Sequence, residues 1–294
     1  MTLQLDHIVI AVTDLEASIS DYTALGFNVQ RGGDHPGRTT HNALVVFADG
    51  SYFELIAWKA PAPQERWWQL LQRHGEGIVD FALLPTSTAE TVEAAARRGL
   101  VLDGPLDGGR VRPDGERLSW QTARPPSLDL PFLCGDITPR ALRVPEGDVR
   151  VHPNGATGVA SLAIAVHDLD ATLSRYGALL GDSETPGSAR VGGAVTLPGG
   201  RSRLALIELG DSTLVLSSTR GALEGAGAQG DAIDPIGARL ALRGEGPFAV
   251  VLRTSLAGAP LSPDLASTHG ASIEFDGYGE AQRTHAASAR PAFL

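Results

Sequence analysis

Apolar residues in this chain gather into short β-branched runs, each followed by a capped helical stretch, and the order repeats. Leu5-Asp6-His7-Ile8-Val9-Ile10-Ala11-Val12 is too short for a buried helix and predicts a strand. Asp14 then caps a helix that runs to about Leu25 and stops at Gly26. A second apolar run, Ala43 to Phe47, reaches the turn Asp49-Gly50, and Tyr52-Phe53-Glu54-Leu55-Ile56 leaves it, so the two runs read as a hairpin. The unit is strand, helix, strands, with His7 in its first strand and Glu54 in its last. Polar residues inside apolar strands break the local rule, which is where a site is expected.

The same unit returns. Ile164 to Tyr176 matches Ile10 to Tyr22 at a constant offset of 154 residues, with strand end, acidic cap and helix in register. A second echo joins Gly75-Glu76-Gly77 before Phe81-Ala82-Leu83-Leu84 to Gly244-Glu245-Gly246 before Phe248-Ala249-Val250-Val251. The chain therefore reads as two halves, each made of two related modules.

In the second module Asp80 falls in the first strand, Thr86 or Ser87 caps a helix from Ala89 to Arg98, and Gly99 ends it. Strands are expected near Gly109–Arg112, Leu118–Thr122 and Leu130–Cys134, with a turn at Pro113-Asp114-Gly115. Trp67 and Trp68 lie on a short helix between the modules and read as packing residues, with one of them at a pocket mouth as the alternative. The expected division is a first domain over residues 1–140, a linker over 141–157, and a second domain over 158–294. The third module is expected to hold strands at Val159–Val166, Ala194–Leu197, Arg203–Leu209 and Ser212–Leu216. A mobile Gly- and Ala-rich stretch, Gly221–Asp231, separates it from a shortened fourth module, and the tail beyond Gly279 reads as frayed.

Composition narrows the field. At 294 residues there is room for two domains with their own cores. A net charge of −10 argues against nucleic-acid and anionic-membrane partners. No apolar run is long enough to span a bilayer, and the chain begins with a strand rather than a leader, so a cytoplasmic address is expected. Cys134 is the one cysteine, which excludes an intrachain disulfide and a cysteine zinc site.

With these motifs in place, the chain resembles the vicinal oxygen chelate superfamily, which includes glyoxalase I, extradiol dioxygenases and bleomycin-resistance proteins. The first strand and Tyr52–Ile56 carry the match. Gly37-Arg38-Thr39-Thr40-His41-Asn42-Ala43-Leu44 and Arg112-Pro113-Asp114-Gly115-Glu116-Arg117-Leu118-Ser119-Trp120 point to its glyoxalase-like branch. The resemblance implies an α+β fold: tandem βαβββ modules forming two paired-module domains with curled mixed sheets around a cavity. It also implies a His from a first strand and a Glu from a last strand as ligands of a divalent metal, the positions His7 and Glu54 occupy. Iron, manganese, nickel or zinc would suit such donors, weakly held or absent. The second module offers Asp80 as a third ligand, and Leu133 or Cys134 where a fourth would stand. In the second half the pair is gone: the offset of 154 takes His7 to Ser161, and Glu54 aligns with Val215. That half reads as structural, or as a lid.

Substrate contacts are expected from His35 and His41 on the loop and strand edge bordering the cavity, from Asn42, from Arg112 as a carboxylate partner, and from Trp120 and Cys134. Each has a plainer reading: solvated histidines, an Asn turn, an Arg112–Asp114 pair, a core tryptophan, a buried apolar cysteine. His152 reads as a turn residue, or as one reaching back to the cavity. The favoured reading is a small-molecule lyase, isomerase or dioxygenase with His7 and Glu54 as metal ligands or as base and acid. The alternative is a protein that sequesters a small hydrophobic or aromatic compound without turnover. A scaffold without a site is disfavoured, because buried unpaired polar groups are costly. The expected partner is a small-molecule ligand, and a homodimer is left open.

Overall fold

A computed structural model describes residues 3–181, 189–196, 202–219, 234–256 and 262–276. The expected strand–helix–strands unit is present as β1 (Gln4–Ala11), α1 (Leu15–Ala24), β2 (Gln30–Asp34), β3 (Thr40–Val46) and β4 (Tyr52–Trp58). The Asp14 side chain accepts from the backbone N–H of Glu16 and Ala17, which satisfies the first turn of α1. Gly26 ends that helix at φ 85°, a value that disfavours any side chain. Helix α2 (Arg66–His74) leads into the second module: β5 (Gly77–Leu84), α3 (Thr88–Arg97), β6 (Asp103–Val111), β7 (Arg117–Arg124) and β8 (Phe132–Asp136). Ser87 is the cap of α3, donated to by the N–H of Glu90.

The two modules close into one barrel in the order β1-β4-β3-β2-β6-β7-β8-β5. Closure leaves no free edge and gives the sheet an inner face, on which alternate residues of every strand converge. Beyond the barrel come α4 (Arg140–Arg143) and a 3-10 turn at Gly147–Arg150. The stretch expected to be a linker is thus ordered and packed on the first half.

The second half is an open sheet. It contains β9 (Ala156–Ala165), α5 (Leu169–Leu180), the short β10 (Arg190–Val191) and β11 (Val195–Thr196), β12 (Ser202–Leu209) and β13 (Ser212–Thr219). It ends with α6 (Pro235–Arg243), β14 (Gly246–Thr254) and β15 (Ser272–Phe275). The order is β10-β12-β13-β9-β14-β15, with β11 on β12. The stretches 221–231 and 279–294 lie outside the described residues, as does residue 197.

Strand register confirms the repeat. Against β4, His7 pairs with Tyr52 and Val9 with Glu54; against β13, Ser161 pairs with Thr213 and Ala163 with Val215. The Gly-Glu-Gly echo also acquires a cause. Glu76 accepts from the backbone N–H of Thr13 at 2.6 Å, and Glu245 accepts from that of His167 at 2.8 Å, so each glutamate ties its own strand to the turn before the neighbouring module's helix. The halves share one core, in which Tyr22 and Tyr176 are fully buried. Each hydroxyl donates across the junction, Tyr22 to the Thr268 carbonyl at 3.0 Å and Tyr176 to the Asp129 carbonyl at 3.1 Å.

Candidate active site

Inside the barrel, His7 from β1, Asn42 from β3 and Glu54 from β4 line a cavity of about 310 Å³. Register brings Glu54 beside Val9, so its side chain stands next to that of His7 on the inner face. His7 Nε2 lies 3.6 Å from Glu54 Oε2. That is too far for a hydrogen bond and too close for an atom to lie between them, so a substrate would meet both atoms from the cavity side. The His7 ring is held flat against Tyr52, with centroids 4.6 Å apart, and edge-on to Phe132 at 5.3 Å.

A β-bulge supplies what alternation alone would not. Leu5 pairs with Leu83 and His7 with Ala82, so Asp6 is an extra residue in β1. The bulge lets Asp6 reach the ring of its own neighbour, His7 Nδ1, at 2.7 Å. Asp6 is fully buried. Arg143 donates to both of its oxygens, at 2.8 and 3.2 Å, and Arg140 adds a contact at 2.6 Å. Burial alone would push this carboxyl up; Arg143, the His7 bond and Arg140 outweigh it and hold its pKa well below the usual carboxylate range. An ionised Asp6 makes Nδ1 the protonated nitrogen and turns Nε2 toward Glu54.

Glu54 resolves in the same way. Burial pulls its pKa up, but His7, His35, the Asn42 amide and Arg110 outweigh burial and keep it an anion. Asn42 donates to Oε1 at 2.6 Å, and His35 Nε2 sits 3.8 Å from the same oxygen. Burial lowers the pKa of His35, which hydrogen-bonds Thr40 Oγ1 through Nδ1 at 2.9 Å.

Other expected residues fare differently. Trp120 and Cys134 line the cavity. Burial pushes the Cys134 thiol up to about 12, so it is a neutral wall and not a nucleophile. His41 does not face the cavity: it alternates with Asn42 and sits among outer charges, Lys59, Asp34, Glu16 and Arg31. Arg112 lies beyond the end of β6, pairs with Asp114 at 2.9 Å, and does not line the cavity. Arg110, one inner position earlier, takes its place. Asp80 is committed elsewhere: Arg66 and the Trp67 indole donate to one oxygen and the N–H of Phe81 to the other. His152 accepts from the N–H of Asn28 and lies 3.0 Å from the Val46 carbonyl, away from the cavity. Of the two neighbouring tryptophans, Trp67 lines the cavity and Trp68 packs on Trp58.

Asp6, Arg110, Arg124, Tyr52, Phe132 and Arg143 were not anticipated from sequence. Glycines in strands were the available signal for the close approach of Arg110 and of Trp120. A Cβ on Gly32 would stand 1.9 Å from Asn42 Oδ1 and 2.4 Å from Arg110 Nη1, and one on Gly108 would stand 2.5 Å from Trp120 Nε1.

The donor set for a metal is not assembled. No group of three or more His, Cys, Asp and Glu side chains among the described residues, His7, His35 and Glu54 included, is arranged to hold an ion. Asp80 is occupied by Arg66, the Trp67 indole and the Phe81 N–H, and a protonated Cys134 is a poor ligand.

Paired βαβββ modules curled around a polar cavity define a protein of the vicinal oxygen chelate class. A glyoxalase-like domain profile matches residues 5–180, more than half of the chain, and the protein belongs to that family. No curated protein matches it. Among solved structures it is similar to a hypothetical protein from Staphylococcus aureus, at 13% identity and TM-score 0.65, covering 93% of this chain and 99% of that one. It is also similar to a mutant of 4-hydroxymandelate synthase from Streptomyces coelicolor, at 12% identity and TM-score 0.58, covering 90% and 78%. A third is a fusion of a xylose isomerase-like TIM barrel with 4-hydroxyphenylpyruvate dioxygenase, at 14% identity and TM-score 0.51, covering 86% and 36%. At these identities the likeness concerns the fold. No helix among the described residues is long and apolar enough to cross a membrane.

Proposed function

We propose that the barrel is the active site of a small-molecule isomerase or lyase that moves protons between Glu54 and His7. The observation that carries this is their adjacency: Nε2 and Oε2 stand 3.6 Å apart on the wall of a buried cavity, not bonded to each other and each oriented by its own partner. Glu54, ionised and desolvated, is placed to take a proton from a carbon acid. His7 relays a proton to or from the adjacent substrate oxygen, and Asp6 stabilises the imidazolium formed in that step. Tyr52 and Phe132 keep the ring from turning. The site's donors do not fit a metal, so no step is routed through one. A sequestering role without turnover is the second reading, favoured by the incomplete donor set.

The test is solvent exchange. A panel of α-hydroxy- and 2-oxo-carbonyl compounds is incubated with protein in D₂O, and deuterium incorporation is followed by NMR. Wild type is expected to exchange at least one compound, and Glu54→Gln to slow it on the order of 100-fold or more. An undiminished rate in Glu54→Gln removes Glu54 as the base; no exchange with any compound leaves the binding reading. Calorimetric titration with divalent iron, manganese, nickel and zinc is expected to show no micromolar site. Tight binding that Glu54→Gln abolishes restores a metalloenzyme.

A further inference from the structure

The cavity has an arginine that its own fold does not use. Arg124, from β7, sits over two rings, its guanidinium carbon 4.6 Å from the centroids of both Trp67 and Phe132. Among the described residues it donates no hydrogen bond. Its nearest carboxylate oxygen, Asp80 Oδ2, is 3.6 Å away and already receives Arg66 and the Trp67 indole. Only 28% of the side chain is exposed. Burial lowers its pKa, and Asp80 offsets this only in part. A buried cation without a dedicated counter-ion is costly unless something else supplies the charge.

The location suggests what does. Arg124 lines both the inner cavity and an adjoining outer recess of about 740 Å³. Arg38 and Arg66 border the same recess. Arg38 is 3.9 Å from Glu65, and Arg66 shares Asp80 with Arg124. The junction therefore holds three arginines and three carboxylates, Glu65, Asp80 and Asp103, of which only the shared Asp80 lies within ion-pair distance of Arg124. Deeper in, Arg110 is buried at 3% exposure, has no carboxylate within ion-pair distance among the described residues, and leaves Nε unpartnered. Arg110 and Arg124 are thus two cavity-lining arginines without a carboxylate of their own.

We infer that Arg124 is the recognition residue for a substrate carboxylate, and that the substrate is a carboxylate carried on a planar apolar body lying along Trp120 and Phe132 toward His7 and Glu54. Two rings confine the Arg124 guanidinium, and its planar fork matches a planar carboxylate through two parallel hydrogen bonds. Trp67, Trp120, Phe132 and Ile56 form the apolar walls that such a body needs. This names the substrate class of the site proposed above and rests on that reading for the direction in which the body points. Binding of the carboxylate itself needs no turnover.

The test measures binding alone. Phenylacetate and its neutral isostere phenylacetamide are titrated into the whole chain while tryptophan emission is followed, since two of the four tryptophans line the cavity. Wild type is expected to prefer phenylacetate at least about 10-fold, Arg124→Gln to abolish that preference while still binding phenylacetamide, and Arg124→Lys to retain part of it. Glu54→Gln, which removes a negative charge from the same cavity, is expected to keep or strengthen the preference while slowing exchange, which separates this inference from the proton-transfer reading. Equal affinity of wild type for the two compounds, or binding of neither, overturns it, and both outcomes are readable even if Arg124→Gln does not fold. Displacement of phenylacetate by inorganic phosphate at equal concentration overturns the assignment of a carboxylate.

Discussion

The two halves of this protein share a backbone device and differ in what is mounted on it. In the first half, β1 carries a bulge that leaves Asp6 without a cross-strand partner. In the second, β9 has the same bulge against β14: Ser161 pairs with Val251 and Val159 with Leu252, which leaves Ala160 as the extra residue. Asp6-His7 thus becomes Ala160-Ser161, and Glu54 becomes Val215. The bulge belongs to the fold, where it bends the strand and re-aims side chains. The chemistry is loaded onto one copy only. The inner cavity and the recess beside it likewise are lined by residues 7–143 and 38–126, all before β9. The closed barrel encloses a polar interior, whereas the open sheet contributes its share of the common core and a matching tyrosine contact.

The sharpest way to break this comparison is to exchange the bulge residues. Asp6→Ala leaves Arg143 and Arg140 facing a buried gap, and is expected to lower stability by about 3–5 kcal/mol. Ala160→Asp places a carboxylate on a half-buried position, and is expected to change stability by less than about 1 kcal/mol. Urea unfolding of both variants checks the pair. Comparable losses would show that the bulge itself, rather than the ion cluster on it, demands the residue.

The junction tests the symmetric side. Tyr22→Phe and Tyr176→Phe each remove one hydroxyl from equivalent helices and leave one buried carbonyl short of a donor, so each is expected to cost about 1–2 kcal/mol. Values differing several-fold between the two would mean that the halves are not equivalent where they meet.

The smallest expected effect is a pH dependence seated in the first half. Burial depresses the His35 pKa below its unfolded value, so the unfolded chain binds the extra proton. Stability from this group is full above about pH 6.5 and is lost as pH falls through the folded value. His152 is depressed in the same direction by burial. Glu54 and Asp6 add a further loss below the ordinary carboxylate range, since both are depressed. The expected urea midpoint therefore drops on acidification from pH 7 to 5, and His35→Gln removes part of that slope. All four tryptophans lie at or before residue 120, so their emission reports on the barrel. A midpoint that rises on acidification contradicts the assignment.

Much of the plan was readable in the chain because it rests on local periodicity. Alternation gave the strands, Asp14 and Asp168 cap the two equivalent helices as expected, and the offset of 154 residues identified the repeat whose register the strands keep. His7 and Glu54 stood out as polar residues in apolar strands, and both are among the residues that line the cavity. What only the tertiary structure decided is non-local. The bulge turns Asp6 onto His7 although neighbours on a regular strand face apart. Strand end and strand phase put Arg110 and Asn42 inside while leaving Arg112 and His41 out. Helix α2, docked across the barrel end, diverts Asp80 to Arg66 and Trp67. Closure sets β6 and β7, with Arg110 and Arg124, around the same interior as β1 and β4. Those outcomes depend on which strands meet when the sheet closes, and that pairing is fixed by burial and hydrogen bonding summed over the whole barrel rather than by any one stretch of sequence.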